Sequence, residues 1–251
     1  MIPVTSVPLS RGFTLTELAV VLVIVALLIG GLLVPLGAQD EIRRTAETRK
    51  TLADAAEALL GFAASNGRLP CPTILATHGQ ESFASGGDAS NGNCSNFYDG
   101  YLPASSLGLS GSNQDGLAVD AWGQPIRYAV YTGSIGGMSN PFTRTDGMRN
   151  ATLASLASTD HTISVCASAT GTNNSSCNSA IELVRKAPAI LFSVGNGGGG
   201  GAAGPDESAN LDGNPVFVTH EPTASGDFRH IVTWLSPNIL YSKMISAGRL
   251  P

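Results

Sequence analysis

The sequence predicts an α+β protein in which one long N-terminal helix packs by its second half on a mainly antiparallel β-sheet, with long disulfide-closed loops. Three observations carry this. An apolar run near the N-terminus continues directly into an amphipathic stretch, six short segments rich in Val, Ile and aromatics follow, and four cysteines fall in polar, loop-like sequence. Composition frames the reading. Only 13% of the 251 residues are charged, about half the usual share, and 30 glycines with many Ser, Thr and Asn supply an uncharged polar surface. A net charge of −5 gives no electrostatic reason to bind nucleic acid, so no nucleic-acid partner is expected. The length suffices for a real buried core.

Taken in order, the first element is the apolar run. Leu18 to Val34 is free of charged and strongly polar side chains, and Phe13 to Leu36 as a helix would span roughly 36 Å, enough for a hydrocarbon core of about 30 Å. Residues 13–36 are therefore expected to form a transmembrane helix. Pro35, close to Gly30 and Gly31, predicts either a kink or an exit from the helix. Residues 37–66 read as the amphipathic continuation, with Ile42, Leu52, Ala56, Leu59, Leu60 and Ala63 at helical spacing and an Asn66-Gly67 stop. Arg43, Arg44, Arg49 and Lys50 then form a solvated face, the alternative being contact with lipid head groups.

Residues 67–251 read as one globular α+β domain. Arg68-Leu69-Pro70-Cys71-Pro72 cannot continue a helix, and a Gly/Ser/Asn-rich loop runs to about Asn113. The strand candidates are Ile126–Tyr131, Thr162–Ala167, Ile181–Arg185, Ala189–Val194, Val216–Thr219 and Ile231–Leu235. A closing helix is predicted over Asn238–Ala247, with Pro237 at its start and Gly248 at its end.

Glu17 is the feature that composition does not explain. It is an acid at the start of an apolar run, which is costly in lipid and marks a function with a partner. Cleavage between Gly12 and Phe13 would make such a partner, because the new amino terminus of a neighbouring copy, offset along the helix axis, could neutralise Glu17. The stretch Arg11-Gly12-Phe13-Thr14-Leu15-Thr16-Glu17-Leu18 followed by an apolar helix resembles the signal of type IV pilins and secretion-system pseudopilins. The resemblance implies a pilin-like fold, removal of residues 1–12 as a leader by a prepilin peptidase, methylation of Phe13, and a docking role for Glu17 during subunit assembly. It departs at Thr16, where an apolar residue is commoner, and at Pro35, which falls near the family's usual kink position but not at it.

Asp120-Ala121-Trp122-Gly123-Gln124-Pro125 is similar to a stretch that precedes a sheet strand in major pseudopilins. Cys71, Cys94, Cys166 and Cys177 show neither zinc-ribbon nor redox spacing and suit two local disulfides, Cys71–Cys94 and Cys166–Cys177, among three possible pairings. Asp206, Asp212 and Asp227, with Glu207 beside them, form an acid-rich stretch. They lack EF-hand spacing and read by themselves as solvated loop acids, but major pseudopilins carry calcium in a comparable loop, so a calcium site at these three aspartates is the one cofactor that the resemblance implies.

An enzyme is not expected, and no catalytic residue is assigned. His220, His230, Glu221 and Asp227 lie close in sequence, yet no G-x-S-x-G nucleophile elbow accompanies them. The glycine run from Gly195 lacks the Lys-Ser/Thr of a phosphate loop. The expected role is a structural subunit of a type IV pilus or type II secretion pseudopilus, with length and long loops favouring a minor one. The implied partners are homologous pilin or pseudopilin subunits, the prepilin peptidase, an inner-membrane assembly platform, a cytoplasmic ATPase and membrane lipid. The expected location is the inner membrane with the C-terminal domain periplasmic, then the filament. Positive-inside counting opposes this orientation, because four cations follow the span and Arg11 alone precedes it. The cleavage signal and the cysteines override that count. The competing class is a membrane-anchored binding or hydrolytic domain.

Overall fold

The computed structural model describes residues 12–109, 113–197, 204–221 and 226–250, and within the first helix the side chains of 29–38 are not described. Residues 1–11, most of the expected leader, lie outside the description, as does the middle of the glycine run. Contacts divide the chain into two units, 1–44 and 45–251.

Helix α1 spans Leu15–Asn66 and runs on past Pro35, so the chain does not leave the helix at that proline. Among the described residues, no helix is long and apolar enough to cross a membrane. The expected span over 13–36 includes residues whose side chains fall outside the description. The end of α1 lies in the second unit and is closed with care. Gly67, at φ +74°, returns its N–H to the Ala63 carbonyl, and the Asn66 side chain donates to the Phe62 carbonyl. The last turn of α1 holds no basic residue of its own. Arg249, far along the chain, donates instead to the carbonyls of Ala64 and Ser65, placing a cation at the negative end of the helix.

The expected strands form, each within a residue or two of its predicted bounds. They are β2 (Arg127–Val130), β5 (Ile163–Cys166), β6 (Glu182–Ala187), β7 (Ala189–Ser193), β8 (Val216–Val218) and β9 (Ile231–Trp234). Added to these are β1 (Gly100–Tyr101) and the small hairpin β3 (Ser134–Ile135) and β4 (Met138–Ser139). The order β1-β2-β7-β9 makes a wholly antiparallel four-stranded sheet, and β6-β5-β8 a second sheet in which β5 and β8 run parallel. The closing helix α6 spans Pro237–Ser246, and Gly248 follows at φ +69°. Four short helices, α2 (Ala104–Leu107), α3 (Gly147–Asn150), α4 (Leu153–Ser158) and α5 (Pro205–Ala209), lie in the connections.

Alternation along β2 and β7 builds the core of the second unit on both faces of the first sheet. Tyr128, Val130, Ala189 and Leu191 pack with Leu52, Leu59 and Ala63 of α1 and with Leu240 and Met244 of α6. Ala129, Ile190 and Phe192, on the opposite face, pack with Ile163, Val165, Ala187 and Phe217 of the second sheet. The four-stranded sheet is therefore the middle of three layers.

The loop after α1 is tied down by charge as well as by sulfur. The buried Arg68 guanidinium makes two 2.7 Å hydrogen bonds to Glu81, which also accepts the Cys71 N–H, while the rings of Phe62 and Phe83 lie 5.4 and 5.6 Å from the guanidinium. Cys71 is bonded to Cys94 and Cys166 to Cys177, with Cα separations of 5.4 and 5.6 Å.

Candidate functional site

The start of α1 brings together the residues that the signal would use. Gly12, Phe13 and Thr14 are non-helical and exposed, and α1 begins at Leu15. Thr14 is the residue before the helix and Glu17 the third residue within it. The Glu17 N–H donates to Thr14 Oγ1 at 3.3 Å, while Glu17 Oε2 accepts the Thr14 N–H and hydroxyl, each at 2.9 Å. This reciprocal pair is a capping box, which satisfies backbone donors that the first turn leaves open. Sequence reasoning took Glu17 alone and missed Thr14, although Thr14-x-x-Glu17 is the spacing that announces such a cap.

Gly12 needs no glycine on structural grounds. Among the described residues a Cβ there would meet nothing within 4 Å, and its φ is not in the left-handed region. Glycine at this position thus answers to something other than the fold. Beyond it, Phe13 and Leu15 are 86% and 87% exposed, and every large apolar residue from Val20 to Val25 is exposed too. Because consecutive positions point around the whole circumference of a helix, α1 is apolar on all sides here.

Further along α1 the four cations are all paired. Arg43 and Arg44 bind Asp40 at 3.0 and 2.7 Å, Lys50 binds Asp54 at 3.2 Å, and Arg49 lies 3.9 Å from Glu221. Pairing within the chain supports a solvated charged face over head-group contact.

The Asp120 stretch has a structural explanation. Buried Asp120 accepts the N–H groups of Trp122 and Gln124 on one oxygen and the Ser193 hydroxyl on the other, and the Ala121 N–H donates to Thr48 Oγ1 of α1. The turn before β2 is thereby fixed both to the end of β7 and to α1.

Among the described residues, Asp206, Asp212 and Asp227 do not gather into one metal-binding group. Asp206 accepts from Ala169 N and Ser168 Oγ and lies 3.0 Å from His220 Nε2. Asp212 closes its own turn on Asn214, and Asp227 is exposed just before Phe228. Among the described residues, no group of three or more His, Cys, Asp or Glu side chains could hold a metal ion. The histidines likewise make no triad. Among the described residues, His220 faces Asp206 and the Glu221 carbonyl, whereas His230 faces Asn210 and Glu207, with no serine bonded to either ring. Burial pushes His230 down to about 4, against the opposing pull of the Glu207 charge.

Residues 8–33 match the family model described as the prokaryotic N-terminal methylation motif. No curated protein and no solved structure matches the chain. The matched segment spans Gly12, Phe13, Thr14 and Glu17, and the chain thus carries the prepilin-type signal of type IV pilins and pseudopilins.

Proposed function

We propose that this chain is a filament subunit, of the minor kind, in a type IV pilus or type II secretion pseudopilus. The single observation that carries the reading is the coincidence, at one place, of the methylation motif with a bare apolar helix whose one acid sits in its first turn. The motif supports a type IV pilin-like or pseudopilin subunit, and the remaining steps combine what the resemblance implies with physical chemistry.

The Gly12–Phe13 peptide precedes α1, so a peptidase can bind it in an extended form without unwinding a helix. Hydrolysis frees the Phe13 amine, which is then methylated. In the bilayer α1 is surrounded by lipid, and its apolar sides gain nothing by water exclusion when helices meet. Assembly there rests on close packing and on polar groups that find partners. Glu17 is such a group, and the amine of a neighbouring copy at the same depth neutralises it at the cost of its bonds to Thr14. A mismatched register leaves both charges unpaired in low dielectric, so the pair selects one offset between subunits. Two disulfides suit a globular domain on the oxidising side of the inner membrane. The assembly platform and its cytoplasmic ATPase supply the force that lifts the subunit from lipid into the filament.

Glu17→Ala tests this reading. The variant is expected to be cleaved and to stay in the membrane, yet to be missing from sheared filaments. Normal incorporation of the variant would overturn the docking role of Glu17, and absence of the wild type itself from filaments would show that the segment serves as an anchor for a binding or hydrolytic domain.

A further inference from the structure

The acid-rich stretch after β7 is the place where the resemblance implies calcium, and the carboxylates of Asp206 and Glu207 are already committed to the protein's own donors. Glu207 of α5 is 1% exposed, and Arg229 surrounds it. The Arg229 N–H donates to Oε1 at 2.6 Å, while Nε reaches Oε1 at 3.4 Å and Nη2 reaches Oε2 at 3.2 Å. His230 Nε2 lies 3.9 Å from the same Oε2. Asp206, the neighbouring acid, is taken by Ala169, Ser168 and His220.

A calcium ion needs six to eight oxygen ligands at about 2.3–2.6 Å, with carboxylate oxygens turned towards it. Here one buried carboxylate is turned towards a guanidinium, and a divalent cation beside it would meet repulsion from Arg229. The start of the glycine run fits the same arrangement. Gly195 lies at φ +65°, where a Cβ would come 2.5 Å from the Arg229 carbonyl oxygen, and a Cβ at Gly197 would come 3.1 Å from the guanidinium carbon. The glycines leave room for the arginine, which is a use that neither a phosphate loop nor a plain flexible linker would require. The residues outside the description in this region, 198–203 and 222–225, contain no carboxylate to complete a different site.

We infer that the stretch from Gly195 to His230 is closed without metal, with the Arg229 guanidinium holding the electrostatic place against Glu207 that a divalent cation would otherwise take. The inference is independent of which filament the chain joins.

The test is thermal unfolding of the full chain in detergent, with EGTA and with added calcium, for wild type, Arg229→Gln and the double variant Glu207→Gln/Arg229→Gln. The wild type is expected to unfold at one temperature in both media. Arg229→Gln leaves a buried carboxylate without its cation, and a fall on the order of 10 °C is expected in either medium. The double variant removes the charge along with the need for a cation, so it recovers much of that loss, also where the single variant fails to fold. A calcium-dependent rise in the wild type would overturn the inference. So would an unchanged Arg229→Gln variant, or a double variant no better than the single one.

Discussion

The segment from Phe13 to Leu28 and the unit from Thr45 onward treat apolar side chains in opposite ways. In the first, bulky aliphatics are exposed around the whole helix and, among the described residues, the single acid is held by the preceding turn. In the second, Leu52, Leu59 and Ala63 of the same helix are buried against a sheet, and the buried acids Glu207 and Asp120 have partners within the domain. The difference teaches that one helix does two jobs. Its later part is a core element that the domain satisfies by itself, whereas its first part leaves its apolar side chains exposed, which under the proposed function lipid or neighbouring helices would cover.

The sharpest way to break the comparison is at Gly12. Gly12→Leu is expected to abolish processing while leaving domain stability unchanged, because the added side chain meets nothing. Intact mass together with a melting curve checks both halves at once, and a destabilised domain would erase the division. The converse change lies in the second unit. Arg68→Gln leaves Glu81 without its cation and takes the guanidinium away from the rings of Phe62 and Phe83, with an expected cost of about 3 kcal/mol in denaturant unfolding and intact processing.

Acid offers a third approach, since the buried His230 sits at about 4 against an ordinary value of 6.5. Its folded form binds the proton less readily than its unfolded form does, so stability is full above pH 6.5 and declines as pH falls towards 4. The decline is on the order of 3 kcal/mol, and His230→Gln should flatten it in unfolding curves measured across that range. The smallest effect is at Thr14. Thr14→Ala removes the cap and is expected to cost about 1 kcal/mol at the first turn of α1, seen as faster amide exchange there and nowhere in the domain.

Much of this was legible in the sequence because the signals were local. Pro237 and Gly248 bracket α6, and the six longer strands are dense in β-branched and aromatic residues between breakers. What was not legible depends on partners far along the chain. The two residues of β1 become a strand only because β2 and the Thr73 bridge lie on either side, and β5 pairs in parallel with β8 some fifty residues later. The aspartates read as a calcium site from their density and from the resemblance, and the cation that engages neighbouring Glu207 is an arginine 22 positions away. At the signal itself the acid stood out because it is anomalous in an apolar run. Thr14 did not, since a threonine before a helix is ordinary in any context.

The account stands or falls on the new amino terminus. Intact mass and N-terminal sequencing of the chain from native membranes should show a protein that begins at Phe13 and carries one added methyl group. A chain that keeps Met1, or one that begins near Gln39 after removal of the whole apolar segment, would contradict it.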